Sequence, residues 1–323
     1  MLQTLVTKEW GLRYPIIGAP MANISRGRMA RAITDAGGLG MIGIGPRDSV
    51  EFIQRESAVA RGDGESRKFG LGLMGWVLDS CPELLDAALA ERPFLVCISF
   101  GSLKPYVEKV RRAGVLLATQ VNTRKDAIEA EKAGVDIIVA QGTDAGGHSG
   151  FVGTFPILQI ALETVKKPVF AAGGIASPRG VAAALAAGAE AVWVGTAFLL
   201  SPESDGHEAA KDRIAAATES DTILTSVFDR VNQLAWPARH PGRALRNRFA
   251  EQWHGREDEL ASKPEEMARF REAAKNRDFD ITSIYVGQAV GLLSERRGAG
   301  DVVRWLGEGA EDLLRARTRM LMP

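Results

Sequence analysis

Long apolar runs are missing from this 323-residue chain. No stretch approaches the roughly 18 uncharged apolar residues of a membrane-spanning helix, so no membrane partner is expected. The opening residues, MLQTLVTKEW, show no basic segment followed by a long apolar core. No secretory signal is read there, and a cytoplasmic location is expected. Cysteine is scarce: Cys81 and Cys97 are the only two, with no CxxC spacing. That excludes a disulfide framework and a structural zinc ribbon, and leaves two buried or neutral thiols. There is no HExxH and no clustered set of histidine and cysteine, so no metal is expected. GxSxG and the Walker A sequence are absent too. Charge of neither sign is in excess, with 40 Lys and Arg against 40 Asp and Glu. No nucleic acid is therefore expected as partner, and a small molecule becomes the default.

What is present is a repeated alternation. Eight short apolar runs occur between residues 14 and 196: YPIIGA (14–19), LGMIGI (39–44), FGLGLM (69–74), FLVCIS (94–99), VLLATQ (115–120), DIIVAQ (136–141), PVFAAG (168–173) and AVWVGT (191–196). Each is too short for a helix and most lack apolar/polar alternation, as strands of a parallel sheet buried on both faces do. Between them lie helix-like stretches. RMARAITDAGG (28–38) puts Met29, Ala32, Ile33 and Ala36 on one stripe, and RGVAAALAAGA (179–189) is alanine-rich. Several end in Ala-Gly, at Gly37, Gly114, Gly134 and Gly188, where glycine tolerates the left-handed turn that satisfies a helix end. The recurrence reads as one βα unit repeated. Eight such units predict an α/β fold, a TIM-type (β/α)8 barrel, with an open doubly wound sheet as the alternative.

The pattern changes near residue 201. Segment 201–280 holds SPESDG, WPARHPGR and many charges, with no clear strand; 214–218, 227–234 and 265–275 look helical. The expected organisation is a barrel of 1–205 plus 278–323 and an inserted helical lid domain, 206–277, over the barrel mouth. YVGQAVGLL (285–293) is expected to return to the barrel. The closing stretch DVVRWLGEGAEDLLRARTRML is amphipathic. Its face of Val302, Val303, Leu306 and Leu313 serves either the core or the interface of a homo-oligomer.

Barrel enzymes place their sites at the C-terminal ends of the strands. After the seventh run comes Gly173-Gly174, and after the eighth Gly195-Thr196. Glycine lets backbone amides approach a phosphate, and Ser177-Pro178 opens a helix whose N-terminus favours an anion. These two loops predict a phosphate site. After the sixth run comes GTDAGGHSG. His148 is the one histidine inside the eight-unit region; His207, His240 and His254 lie in the appendage and are expected to face solvent. An imidazole at a strand exit can exchange a proton near neutral pH, so His148 is the candidate catalytic or substrate-contact residue. Gly146 and Gly147 leave room for a flat ligand. Asp144 either orients the imidazole or, more commonly beside glycine, receives a loop amide. Trp236, Trp253 and Tyr285 are expected in the core, with a pocket wall as the alternative. GLGLMG (70–75) lies in a strand and is not read as a dinucleotide fingerprint.

YPIIGAPMA, VAQGTDAGGHSG, FAAGGIASPRGVAAALAAGAEAVWVGTAFL and YVGQAVGLL resemble the nitronate monooxygenases. The resemblance implies a flavin-binding β/α barrel with an added helical domain. It implies flavin mononucleotide (FMN), with Gly173, Gly174, Gly195 and Thr196 at its phosphate. Ala19, Pro20 and Met21 would lie against the ring system, Gln120 and Gln141 would contact it, and His148 would be the active-site histidine. The implied reaction takes a small anionic substrate, an alkyl nitronate, and oxygen to a carbonyl compound and nitrite. His148 would act there as a base or as a charge stabiliser. The chain departs from the family where Gly72 replaces a frequent asparagine, where Gly18 replaces a frequent glutamine, and in the short uncharged SGFVGTF after His148. Two rival expectations stand beside this one: an FMN-dependent enoyl-acyl-carrier-protein reductase using NADH or NADPH, and a phosphate-ligand barrel without turnover.

Overall fold

The structure is a computed structural model that describes residues 2–63 and 68–322. All eight apolar runs form strands: β1 (Ile16–Gly18), β2 (Met41–Gly43), β3 (Gly70–Met74), β4 (Leu95–Ser99), β5 (Leu116–Val121), β6 (Ile137–Gln141), β8 (Val169–Ala172) and β9 (Ala191–Val194). They lie in one parallel sheet in the order β1-β9-β8-β6-β5-β4-β3-β2. A parallel bridge between Ile17 and Leu39, with the Gly18 amide donating to the Leu39 carbonyl, brings β1 back to β2. The result is a nearly closed TIM-like barrel, and the open sheet is set aside.

Why the runs lack alternation is visible in the packing. In β4, Leu95 and Cys97 belong to an inner cluster while Val96 and Ile98 belong to an outer one. In β8, Phe170 and Ala172 point inward, Val169 and Ala171 outward. Both faces are apolar because helices cover the outside and side chains fill the inside. Trp10 packs edge-on to Phe94 and Phe170 and, with Val6 and Leu12, plugs the N-terminal end of the barrel. The four Ala-Gly helix ends all have positive φ: Gly37 (98°), Gly114 (69°), Gly134 (92°) and Gly188 (110°). They stop each helix with a left-handed turn, as the repeated sequence predicts.

The appendage corrects the expectation of a purely helical segment. Thr222–Thr225 (β10) and Gly242–Leu245 (β11) pair antiparallel, and β11 also pairs with β7, the two residues Gly147–His148. These strands are short, and their partners lie far off in sequence, so no local pattern announces them. Helices follow at Glu208–Ala216, Val227–Val231, Arg248–Trp253, Glu257–Ala261 and Pro264–Asn276. The helix expected at 214–218 is the end of the first of these. Phe228, Phe249, Trp253, Leu260 and Phe270 build a satellite core there.

The helix Ala299–Leu321 buries Val302, Val303 and Leu306 against the helices Pro178–Ala186 and Gly27–Asp35, so that part of its apolar face is a core face; Leu313 is half-buried. Tyr14 Oη donates to Glu308 Oε1 at 2.7 Å, and a Cβ on Gly307 would lie 2.2 Å from the Tyr14 ring. No helix among the described residues is long and apolar enough to cross a membrane. Alanine at Gly307 would gain about 1 kcal/mol in helix propensity but strike a buried ring, at a cost of about 1–3 kcal/mol. Gly307→Ala should therefore lower the urea midpoint; an unchanged or higher midpoint contradicts this packing.

Candidate active site

The strand exits converge on a cavity of about 650 Å³. The residues expected to meet the cofactor or substrate line it: Ala19, Pro20, Met21, Gln120, Gln141, Gly146, Gly147, His148, Gly173, Gly174, Gly195 and Thr196. The β1 exit is shaped by Ser25, whose hydroxyl donates to the Ala19 carbonyl at 2.8 Å and accepts from the Met21 amide at 3.1 Å. A Cβ on Gly72 would lie 2.3 Å from Pro20 Cγ. The glycine is thus what lets the Pro20 loop sit over β3, and an asparagine there would displace that loop. Gly18 faces Ile33 of the surrounding helix and does not line the cavity, so it presents no side chain to a ligand.

The glycine loops after β8 and β9 carry the positive-φ turns and the helix cap read from the sequence. Gly173 and Gly174 hold φ of 100° and 64°, two consecutive left-handed residues that only glycine adopts readily. Ser177 Oγ caps the next helix by accepting from the Gly180 amide, and Pro178 occupies its first turn. Thr196 Oγ1 accepts from the Gly287 amide at 3.0 Å, tying the last barrel exit to the 285–293 segment. Gly147 has φ of 69° and nothing within 4 Å of its absent Cβ, so it leaves open space at the cavity. Gly146 does something else: a Cβ there would meet the Gly287 nitrogen at 2.6 Å. Its smallness allows the 286–287 backbone to close on the loop. Paired glycines thus stand at the cavity edge after β8, with a capped helix opening just beyond them.

Asp144 takes the commoner of its two expected roles, accepting the Thr154 amide at 2.7 Å. The imidazole is oriented by another residue. His148 Nε2 donates to Asp229 Oδ1 at 2.9 Å, and Tyr285 Oη donates to the same oxygen at 3.4 Å. The imidazole and carboxylate side chains are 8% and 5% exposed, so the pair is almost dry. Burial and the neighbouring Asp229 carboxylate push the Tyr285 hydroxyl well above its ordinary range, so it stays a donor. Trp236 stacks on the imidazole, centroids 3.4 Å apart and planes within 3°. Gln141 Nε2 donates to the His148 carbonyl at 3.1 Å, while Asn122 Nδ2 donates to Gln141 Oε1 at 3.2 Å. Gln141 therefore steadies His148, whereas the Gln120 side chain takes no hydrogen-bond partner among the described residues and lies open to the cavity. Arg243, buried in β11, donates from Nε to the Thr143 carbonyl at 2.9 Å and braces the histidine loop from behind.

With Nε2 committed to a carboxylate, the proton sits on Nε2 and the free nitrogen is Nδ1. As neutral imidazole the ring offers a lone pair there; as imidazolium it offers an N–H. Asp229 and Arg243 were not found from sequence, and Trp236 takes the alternative of its two expected places, the pocket wall. The one signal was an acid inside the apolar VFDRV turn. His240 corrects another expectation: it is 4% exposed, lies edge-on to Phe100 and has no partner for Nδ1, so it does not face solvent. Trp253 is core as expected, while Tyr285 lines the cavity. No cluster of potential metal ligands occurs among the described residues.

The model of the nitronate monooxygenase family matches residues 81–309. The nitronate monooxygenase of Neurospora crassa is 32% identical, over 93% of this chain and 90% of the relative. A probable nitronate monooxygenase of Staphylococcus aureus is 29% identical, over 88% and 91%. Among solved structures, FabK from Thermotoga maritima is similar with a TM-score of 0.86 at 29% identity, covering 99% of this chain and all of the other. Nitroalkane oxidase from Streptomyces ansochromogenes is similar with a TM-score of 0.80 at 28% identity, covering 95% and 98%.

Burial, helped by the Arg239 charge, lowers His240 from 6.5 to about 4. The folded state thus holds it neutral, and protonation favours unfolding. Its contribution is fully present above about pH 6.5 and is lost as pH falls toward about 4. His240→Phe should lose less stability than the parent across that window, measured by urea unfolding; equal losses would show that His240 is not the buried base.

Proposed function

The chain belongs to the nitronate monooxygenase family, and from that premise we propose that it is an FMN-dependent oxidoreductase acting with oxygen on alkyl nitronates. The products are a carbonyl compound and nitrite. The observation that carries the reading is the fixed imidazole: Nε2 held by Asp229, one face held by Trp236, and Nδ1 left free at a cavity that Gly173, Gly174, Gly195 and Thr196 also line. When bound, FMN supplies the electron acceptor and the means of passing electrons to oxygen. The residues present fit it. Gly173, Gly174, Gly195 and Thr196 would hold the phosphate, Ala19, Pro20 and Met21 would back the ring system, and Gln120 would contact its polar edge. Gly147 leaves room beside them.

His148 then does two things, both at Nδ1. Toward a nitronate, the imidazolium donates Nδ1–H to the anionic oxygen, and the Asp229 carboxylate balances the ring's charge. Toward a neutral nitroalkane, the imidazole takes the carbon-bound proton on the same nitrogen. Asp229 keeps the ring from flipping, and the aromatic surround keeps bulk water off the pair. Small anions and oxygen are thus the proposed partners.

The likeness to FabK along nearly the whole chain favours a second reading, a flavin-dependent enoyl thioester reductase fed by NADH or NADPH. Anaerobic mixing separates the two. The flavin colour should persist with either nicotinamide and bleach with an alkyl nitronate, and oxygen should then be consumed as nitrite appears. Rapid bleaching by a nicotinamide without any turnover of nitronate would overturn the proposal, and a colourless protein unable to take up FMN would support a binding barrel instead. Asp229→Asn should keep FMN but lower kcat/KM on the nitronate by about 10²- to 10⁴-fold, the range of a positioned acid–base group. An undiminished rate would remove the dyad from the mechanism.

A further inference from the structure

Trp236 lies on an irregular stretch, 232–241, whose two ends are both fastened to His148. One end leaves the Val227–Val231 helix that carries Asp229. The other enters β11 at Gly242, which pairs with His148 and packs against its ring. Its last turn before β11 is pinned by the Arg239–Asp126 ion pair at 2.7 Å and by the buried His240. The indole is braced away from His148 as well, edge-on to Phe100 at 5.0 Å and tilted against Trp76 at 5.4 Å. Phe100 itself is held at φ of 63°, a strained conformation for a bulky residue. Strain of this kind persists only where surrounding contacts impose it, and here it delivers the ring that backs Trp236 and His240.

The Nε2 edge of the imidazole is closed by Asp229 and Gly242, and one face is closed by the indole. A ligand bound at Nδ1 therefore extends along a wall that is apolar, aromatic and unable to retreat. We infer that Trp236 is the specificity-determining wall of the site and confines it to anions bearing a short alkyl chain. The inference rests on the proposed reaction for the identity of the anion, but not for the wall itself. An indole offers a good surface to a few methylenes. A longer chain would have to displace a ring held on three sides.

Straight-chain carboxylates, acetate to hexanoate, bind without reacting and serve as probes, read by perturbation of the visible flavin band of the holoenzyme. The parent should bind hexanoate no better than acetate. Trp236→Ala should raise the hexanoate-to-acetate affinity ratio about tenfold or more, the scale set by a few methylenes entering an apolar pocket. Trp236→Phe, the safer variant for folding, should raise it by a smaller factor. A ratio unchanged in both variants would overturn the inference. The same variants assayed with nitroethane and nitrohexane nitronates separate it from the proposed reaction. A shifted carboxylate ratio with no nitronate turnover even by the parent would sink the reaction and keep the wall. Turnover with the parent's chain-length profile retained in Trp236→Ala would sink the wall and keep the reaction.

Discussion

The hydrogen bond from His148 Nε2 to Asp229 Oδ1 joins two parts of the chain separated by 81 residues. Nothing else in the site keeps its meaning without it. It turns the imidazole so that Nδ1 remains free, and it draws the appendage down onto the barrel mouth. It also clasps the structure. Removing one partner of such a buried pair leaves an uncompensated polar group, typically at about 3–5 kcal/mol. The short β7–β11 pairing beside it, the approach of Gly242 to the ring and the Tyr285 hydroxyl on the same carboxylate all reinforce one geometry. The site is therefore rigid because it is also a structural junction.

A second constraint acts on the opposite side of the cavity. Loops from three strand exits must close around one space without filling it. Gly147 holds positive φ with nothing where its Cβ would lie, so it opens that space, while Gly173 and Gly174, also at positive φ, admit Thr154 and Asp144 close by. Gly146 and Gly72 admit close backbone and proline neighbours instead, at Gly287 and Pro20. Glycines that look alike in sequence thus divide into those that open the cavity and those that let the surrounding loops pack. The first leaves room for a ligand; the second makes the walls stiff.

The barrel was legible because a parallel sheet buried on both faces writes itself as short apolar runs, and because four of its helices end on a glycine at positive φ. The cavity was legible because strand exits of such a barrel share one rim. What could not be read were the contacts made across the rim. Asp229 reaches His148 through tertiary packing, not through spacing, and a lone acid in VFDRV is ordinary in any amphipathic turn. β10 and β11 are strands only because they pair with each other and with two residues of a distant loop. His240 precedes Pro-Gly and so looks like the tip of an exposed turn, but the stretch 232–241 folds inward over the site and buries it. Trp236 was weighed as core because tryptophan usually is; its place in the wall follows from that same inward path.

Nitrogen-15 NMR of the His148 ring in the FMN-loaded protein, above the pH at which the ring takes up a second proton, tests the central claim most directly. The account predicts one tautomer, with the proton on Nε2 and an unprotonated Nδ1, and loss of that preference in Asp229→Ala. A proton on Nδ1, or a rapidly averaging ring indifferent to Asp229, would contradict it.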